Sequence, residues 1–137
     1  MNAPVQTPEF IYGAKERVEG LLKWRAYIEK ALARNDCYLT YGEVCQKVLA
    51  GSMLWFQTPD AFVIAEIVTL QRGPFCHITI AGGKYADICK IEKEQLIPLL
   101  KAGGVKRISA LGRIGFIKRA LPEGWRTTKQ QYFLKDI

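Results

Sequence analysis

The stretch Ile78-Thr-Ile-Ala-Gly-Gly-Lys-Tyr85 ends an apolar strand in two glycines and a lysine, directly before a helix. Backbone N–H groups left free at such a junction, with the positive end of a helix behind them, favour a phosphate. Gly82, Gly83 and Lys84 are therefore candidate phosphate-cradling residues; the alternative is an ordinary strand-to-helix turn. A Walker A loop is excluded, because its first glycine is missing and Lys84 is followed by Tyr85. Glu66 stands among Ile64, Ile67 and Val68. Burial there would raise a carboxyl pKa and suit it to accept a proton. The other reading of Glu66 is a structural carboxylate with a backbone or basic partner. The single histidine, His77, alternates toward the face of Phe75 and Thr79. A packed, hydrogen-bonded side chain is its plainer reading, and a catalytic one the alternative. The four cysteines have no Cys-x-x-Cys spacing, and with one histidine they make a Cys/His zinc site a poor fit. They read as free thiols of a reducing compartment.

The elements that must position these residues emerge from periodicity. Apolar residues at Ile11, Val18, Leu21, Leu22, Ile28 and Leu32 recur at three or four positions and predict an amphipathic helix from Pro8 to about Arg34, with a break near Gly20. Thr40 and Glu43 are spaced as a capping box, with Leu39 and Val44 as a hydrophobic staple, so a second helix starts there and runs to about Ala50. Gly51 suits its C′ position. Met53–Gln57, Ala61–Gln71 and Phe75–Ala81 read as three strands joined by short turns, an antiparallel meander whose last two members are apolar on both faces. Asp87 is a plausible N-cap for a helix to about Ala102, which Pro98 should kink or interrupt and Gly103-Gly104 ends. Lys106–Leu111 predicts a strand, Ile114–Leu121 a helix, and Thr127–Leu134 a final strand.

With 137 residues the chain suffices for one domain with a real core, residues 1–8 being a lead-in. No apolar run approaches the roughly 20 residues of a membrane span. The first eight residues lack a basic region followed by an apolar one, so no signal peptide is expected. The net charge of +7 is unevenly placed: residues 1–100 hold 11 basic and 11 acidic side chains, while residues 101–137 hold 9 basic and 2 acidic ones. Lys106, Arg107, Arg113, Lys118, Arg119 and Arg126 belong to that excess and are candidate contacts for an anionic partner, a phosphorylated cofactor or a nucleic-acid backbone. The alternative is a solvated basic face.

The order of two helices, meander, helix, strand, helix and strand is similar to the GCN5-related N-acetyltransferase (GNAT) fold, an α+β architecture with a mixed, mostly antiparallel sheet flanked by helices. Val63-Ile-Ala-Glu66-Ile67, Ile80-Ala-Gly-Gly83, Ala102-Gly-Gly-Val105, and Gly112-Arg-Ile-Gly-Phe-Ile-Lys-Arg-Ala-Leu121 with Gly124-Trp125 look like a group of small tailed-bacteriophage proteins with that fold. The resemblance covers residues 38–137. It implies acyl transfer from acetyl-CoA or another acyl-CoA to an amine acceptor, without a metal. It places Glu66 as the base, N–H groups near Ile80 and Ala81 at the thioester carbonyl, and the cofactor over Ile80, Ala81, Gly82, Gly83, Lys84 and Tyr85. The loop Gly82-Gly-Lys-Tyr-Ala-Asp87 departs from the Gln/Arg-x-x-Gly-x-Gly/Ala pattern of the transferases, and Asp87 would repel a pyrophosphate unless turned away. Phe116 stands near the place of a tyrosine acid, leaving Tyr132, Tyr85 or Cys89 as substitutes. The same resemblance implies an alternative, a non-enzymatic phage protein of the virion, of ejection or of packaging, or a host-inhibiting binder in the host cytoplasm. Its basic C-terminal region would contact DNA or an acidic partner.

Overall fold

The computed structural model describes residues 11–34, 39–111, 114–129 and 135–137. The N-terminal amphipathic run forms two helices, α1 (Ala14–Lys23) and α2 (Arg25–Arg34), with the break at Trp24 rather than Gly20. Gly20 stays helical because its missing side chain lets α1 lie against the Trp55 ring and Gln57; a Cβ there would strike both. α3 (Tyr41–Ala50) starts with the expected capping box: Thr40 accepts from the Glu43 amide, and the Glu43 carboxylate accepts from the Thr40 amide. It ends at Gly51 in the left-handed region, φ 87°.

The meander is β1 (Leu54–Thr58), β2 (Ala61–Leu70) and β3 (Gly73–Gly83), paired antiparallel. β4 (Ile108–Ala110) adds to β3 in parallel, giving the order β1-β2-β3-β4. Between β3 and β4 the chain crosses one face of the sheet as α4 (Tyr85–Ile91), a π-turn (Glu92–Leu96) and α5 (Ile97–Ala102). Pro98 explains the interruption. It has no amide for the Glu94 carbonyl and its ring crowds that oxygen, so the helical ladder shifts to wider bonds just before it. α4 begins at Tyr85, so Asp87 is inside its first turn and is not the expected N-cap. Lys84 is the N-cap, because its amide donates to the Asp60 carbonyl at 3.0 Å and that bond decides where the strand stops. α6 (Ile114–Ala120) and a 3₁₀ turn (Leu121–Glu123) come after β4. Residues 127–129 are not in a strand, and the rest of the expected final strand through Leu134 lies outside the described residues.

Two apolar layers hold the sheet, which is why β2 reads as apolar on both faces. On one side Leu54, Phe56, Val63, Ala65 and Cys76 pack on Ile88, Ile91, Leu96 and Leu100 of the α4–α5 segment. On the other, Trp55, Phe62, Ile64 and Ile80 pack on Leu21, Ile28, Val44 and Val48 of α1–α3. Phe62 is the centre of that layer, stacked on Trp55 at 5.5 Å and flanked by Trp24 and Tyr27. Trp55 and Trp24 are thus packing residues, and the Trp125 indole donates to the Glu92 carboxylate at 2.8 Å.

Candidate functional site

β3 and β4 form a fork. Their parallel pairing covers Cys76↔Ile108, His77↔Ser109 and Ile78↔Ala110, with the Cys76 amide donating to the Arg107 carbonyl at 2.9 Å. β3 then continues to Gly83 while β4 has ended. From Thr79 onward, the β3 edge away from β2 has no strand partner among the described residues. The split thus begins after Ile78 rather than after Ala81, where the strand was expected to end.

Which peptide groups face this edge is set by the ladder on the other side. Asp60 and Lys84 are a hydrogen-bonded pair. Antiparallel pairs alternate between bonded and unbonded, so Gly82 and Ile80 turn their peptide groups toward β2, and Gly83 and Ala81 turn theirs toward the fork. Of the residues nominated for cofactor binding, Ala81 and Gly83 therefore present main-chain groups to the open edge. Gly82 has no room for a side chain, because a Cβ would meet Tyr27 and Phe62; Gly83 holds φ 104°, and a Cβ there would strike the Asp60 carbonyl. The Lys84 ammonium is exposed, 3.7 Å from the Asp60 carboxylate.

At the apex of the fork polar side chains gather on one face. Glu66 is directly opposite His77 across the β2–β3 ladder, and His77 Nδ1 is 2.9 Å from Ser109 Oγ across the β3–β4 pairing. All three are half-buried. Thr79 is the extra residue of a β-bulge, since Ile64 pairs with Ile80 and Ala65 with Ile78. Its hydroxyl is buried and has no hydrogen-bond partner. Nothing in the sequence marks this bulge, as threonine is an ordinary strand residue. Ser109 gives no local signal either; it matters only through the parallel register.

At the other end of the fork, the Tyr85 ring meets Phe116 edge to face at 5.3 Å, and the Arg119 guanidinium lies over Tyr85 at 4.1 Å. This contact joins the first turn of α4 to α6. A hydrogen bond with the Cys89 thiol, reinforced by burial, pushes the Tyr85 phenol up to about 12, so it is a donor at neutral pH. Asp87 is turned away from the fork: its carboxylate accepts from the Thr58 hydroxyl at 3.5 Å, at the end of β1 on the far side of β2. Lys106, Arg107, Lys118 and Arg126 are exposed, as is Arg119 around its stacked head. Arg113 and Tyr132 lie outside the described residues. Among the described residues no cluster of His, Cys, Asp and Glu could hold a metal ion, and no helix is long and apolar enough to cross a membrane.

Comparison with solved structures decides the fold. A predicted acetyltransferase with acetyl-CoA from Clostridium acetobutylicum superimposes with a TM-score of 0.62 over 90% of this chain and 92% of its own, at 9% identity. The tetramutant of the BH1408 protein from Bacillus halodurans gives 0.60 over 90% and 96%, at 15% identity. The aminoglycoside N-acetyltransferase AAC(6')-Iy in complex with CoA gives 0.50 over 89% and 92%, at 15% identity.

The fold is that of the GCN5-related N-acetyltransferases.

No protein-family model matches the chain, and neither does any curated protein. In this GNAT fold the fork, the apex cluster and the Tyr85–Phe116 contact are features of one stretch, Glu66 to Arg119, that the meander and the crossover helix bring together.

Proposed function

We propose that this protein is an acyl-CoA-dependent N-acyltransferase whose chemistry takes place at the apex of the β3–β4 fork. The observation that carries this reading is the fork itself: an unpaired β3 edge with the Ala81 and Gly83 peptide groups turned into it. These residues fit an acyl-CoA, whose amides and phosphates need main-chain partners. The orientation of Asp87 toward Thr58 keeps its charge off that edge. When bound, the cofactor supplies an acyl thioester, whose carbonyl carbon takes the amine nitrogen as the carbon–sulfur bond breaks. Glu66 accepts the proton that the amine must lose. His77, fixed by Ser109 through Nδ1, keeps Nε2 free on the same face to hold the amine. Calorimetric titration with acetyl-CoA and with CoA tests the reading. Binding of both is expected, and no heat from either at millimolar concentration would refute it.

A second reading is favoured by the Tyr85–Phe116–Arg119 contact, which an incoming pyrophosphate would have to pass or displace. The chain would then be a non-enzymatic phage protein that keeps the fold as a virion, ejection, packaging or host-binding component. Lys106, Arg107, Lys118, Arg119 and Arg126 would contact DNA or an acidic partner.

A further inference from the structure

We propose that the Thr79 hydroxyl is the hydrogen-bond donor that holds the acyl carbonyl at the fork apex, an assignment that rests on the acyltransferase reading above. Thr79 Oγ1 is buried and unpartnered. A polar group in that state costs stability, and folded proteins keep few of them. Packing does not require it, since valine has nearly the same shape and suits a strand equally well. Its position gives the reason for it. The β3–β4 pairing ends at Ile78↔Ala110, so Thr79 is the first β3 residue beyond the apex. It is also the residue that the bulge inserts. Bulges re-aim side chains and concentrate beside active sites. Thr79 lies two residues from His77, which is paired on both sides, to Glu66 and to Ser109. A hydroxyl offers one donated bond without a charge, which suits a thioester carbonyl that is neutral when it binds and gathers negative charge as the amine adds. The main-chain amide of Ala81 serves the same end of the fork and leaves that oxygen a second donor position to fill.

The test is a comparison of Thr79→Val and Thr79→Ser with the wild-type chain, using thermal melts without ligand and titrations with acetyl-CoA and with CoA. Thr79→Val is expected to melt a few degrees higher without ligand, because it removes an orphaned group. It should bind acetyl-CoA roughly three- to tenfold more weakly while its affinity for CoA, which has no acyl carbonyl, stays unchanged. Thr79→Ser should behave as wild type with both ligands. A lower melting temperature for Thr79→Val overturns the proposal, because the hydroxyl would then have a partner. Equal changes for acetyl-CoA and CoA overturn it as well, an ordered water being the occupant in that case. A wild-type chain that binds neither ligand refutes the acyltransferase reading and this assignment with it, whereas equal changes refute the Thr79 assignment alone.

Discussion

Glu66 has two neighbours that report on it without a substrate. His77 is its rung partner, and Cys76 is one rung along on the same strand. Burial, with the Glu66 charge adding, pushes the Cys76 thiol up to about 12 from an ordinary value near 9. The native state therefore holds that proton over a range in which the unfolded chain releases it. The stability tied to it is complete below pH 9 and is lost as pH rises toward 12. Chemical-denaturation midpoints between pH 8 and 11 should fall for the wild-type chain and fall less for Cys76→Val. The same burial should leave Cys76 unreactive to thiol reagents at pH 8 until the chain unfolds. If Glu66 is the base, Glu66→Gln should lower the acetylation rate at least about a hundredfold, with acetyl-CoA affinity unchanged; a loss confined to binding would assign it a structural role. Arg17 is a residue whose role the sequence hides. It lies in α1 beside Glu16, yet it is 7% exposed and donates from Nη1 to the Val48 carbonyl at 2.7 Å, at the negative end of α3. Only the packing of α1 on α3 makes that bond, so no local pattern announces it.

At the scale of elements, legibility tracks how local the cause is. The α3 start is readable because Thr40 and Glu43 bond within one turn. Thr40→Ala should accordingly cost about 1 kcal/mol, seen as a lower urea midpoint with an unchanged slope. The meander is readable because its turns and alternation are short-range. Sequence alone puts the start of the helix after β3 three residues late, since Asp87 has the right chemistry for an N-cap, but the Lys84–Asp60 bond between strands takes precedence. Gly20 reads as a break for a similar reason: a glycine is a weak helix former, and what keeps this one helical is the Trp55 ring on another element. β4 is shorter than Lys106–Leu111 because only Ile108–Ala110 find partners on β3. The apex cluster of the fork, which joins β2, β3 and β4 through register, cannot be read from any one of them.

At the scale of the whole molecule, the +7 charge has no counterpart in residues 1–100 and belongs to residues 101–137, which include β4 and α6. Exposed cations at that end attract anions of any kind, so the field alone does not separate a cofactor from a nucleic acid. Salt separates them. A DNA complex held by the exposed cations should lose affinity steeply, about tenfold or more between 50 and 200 mM salt, in a gel-shift titration; affinity indifferent to salt would exclude phosphate contacts. The described fold is otherwise a tightly bonded meander to which β4 adds a seam of three rungs. That seam is the least anchored part of the sheet, and the Cys76 amide is sealed only by the Arg107 carbonyl across it. Native-state deuterium exchange should therefore find Cys76 labelling ahead of the β2 amides, at the rate at which β4 lifts off rather than the rate of global unfolding. On the acyltransferase reading, a fork that breathes in this way would admit acyl chains of more than one length, since the last strand can let go.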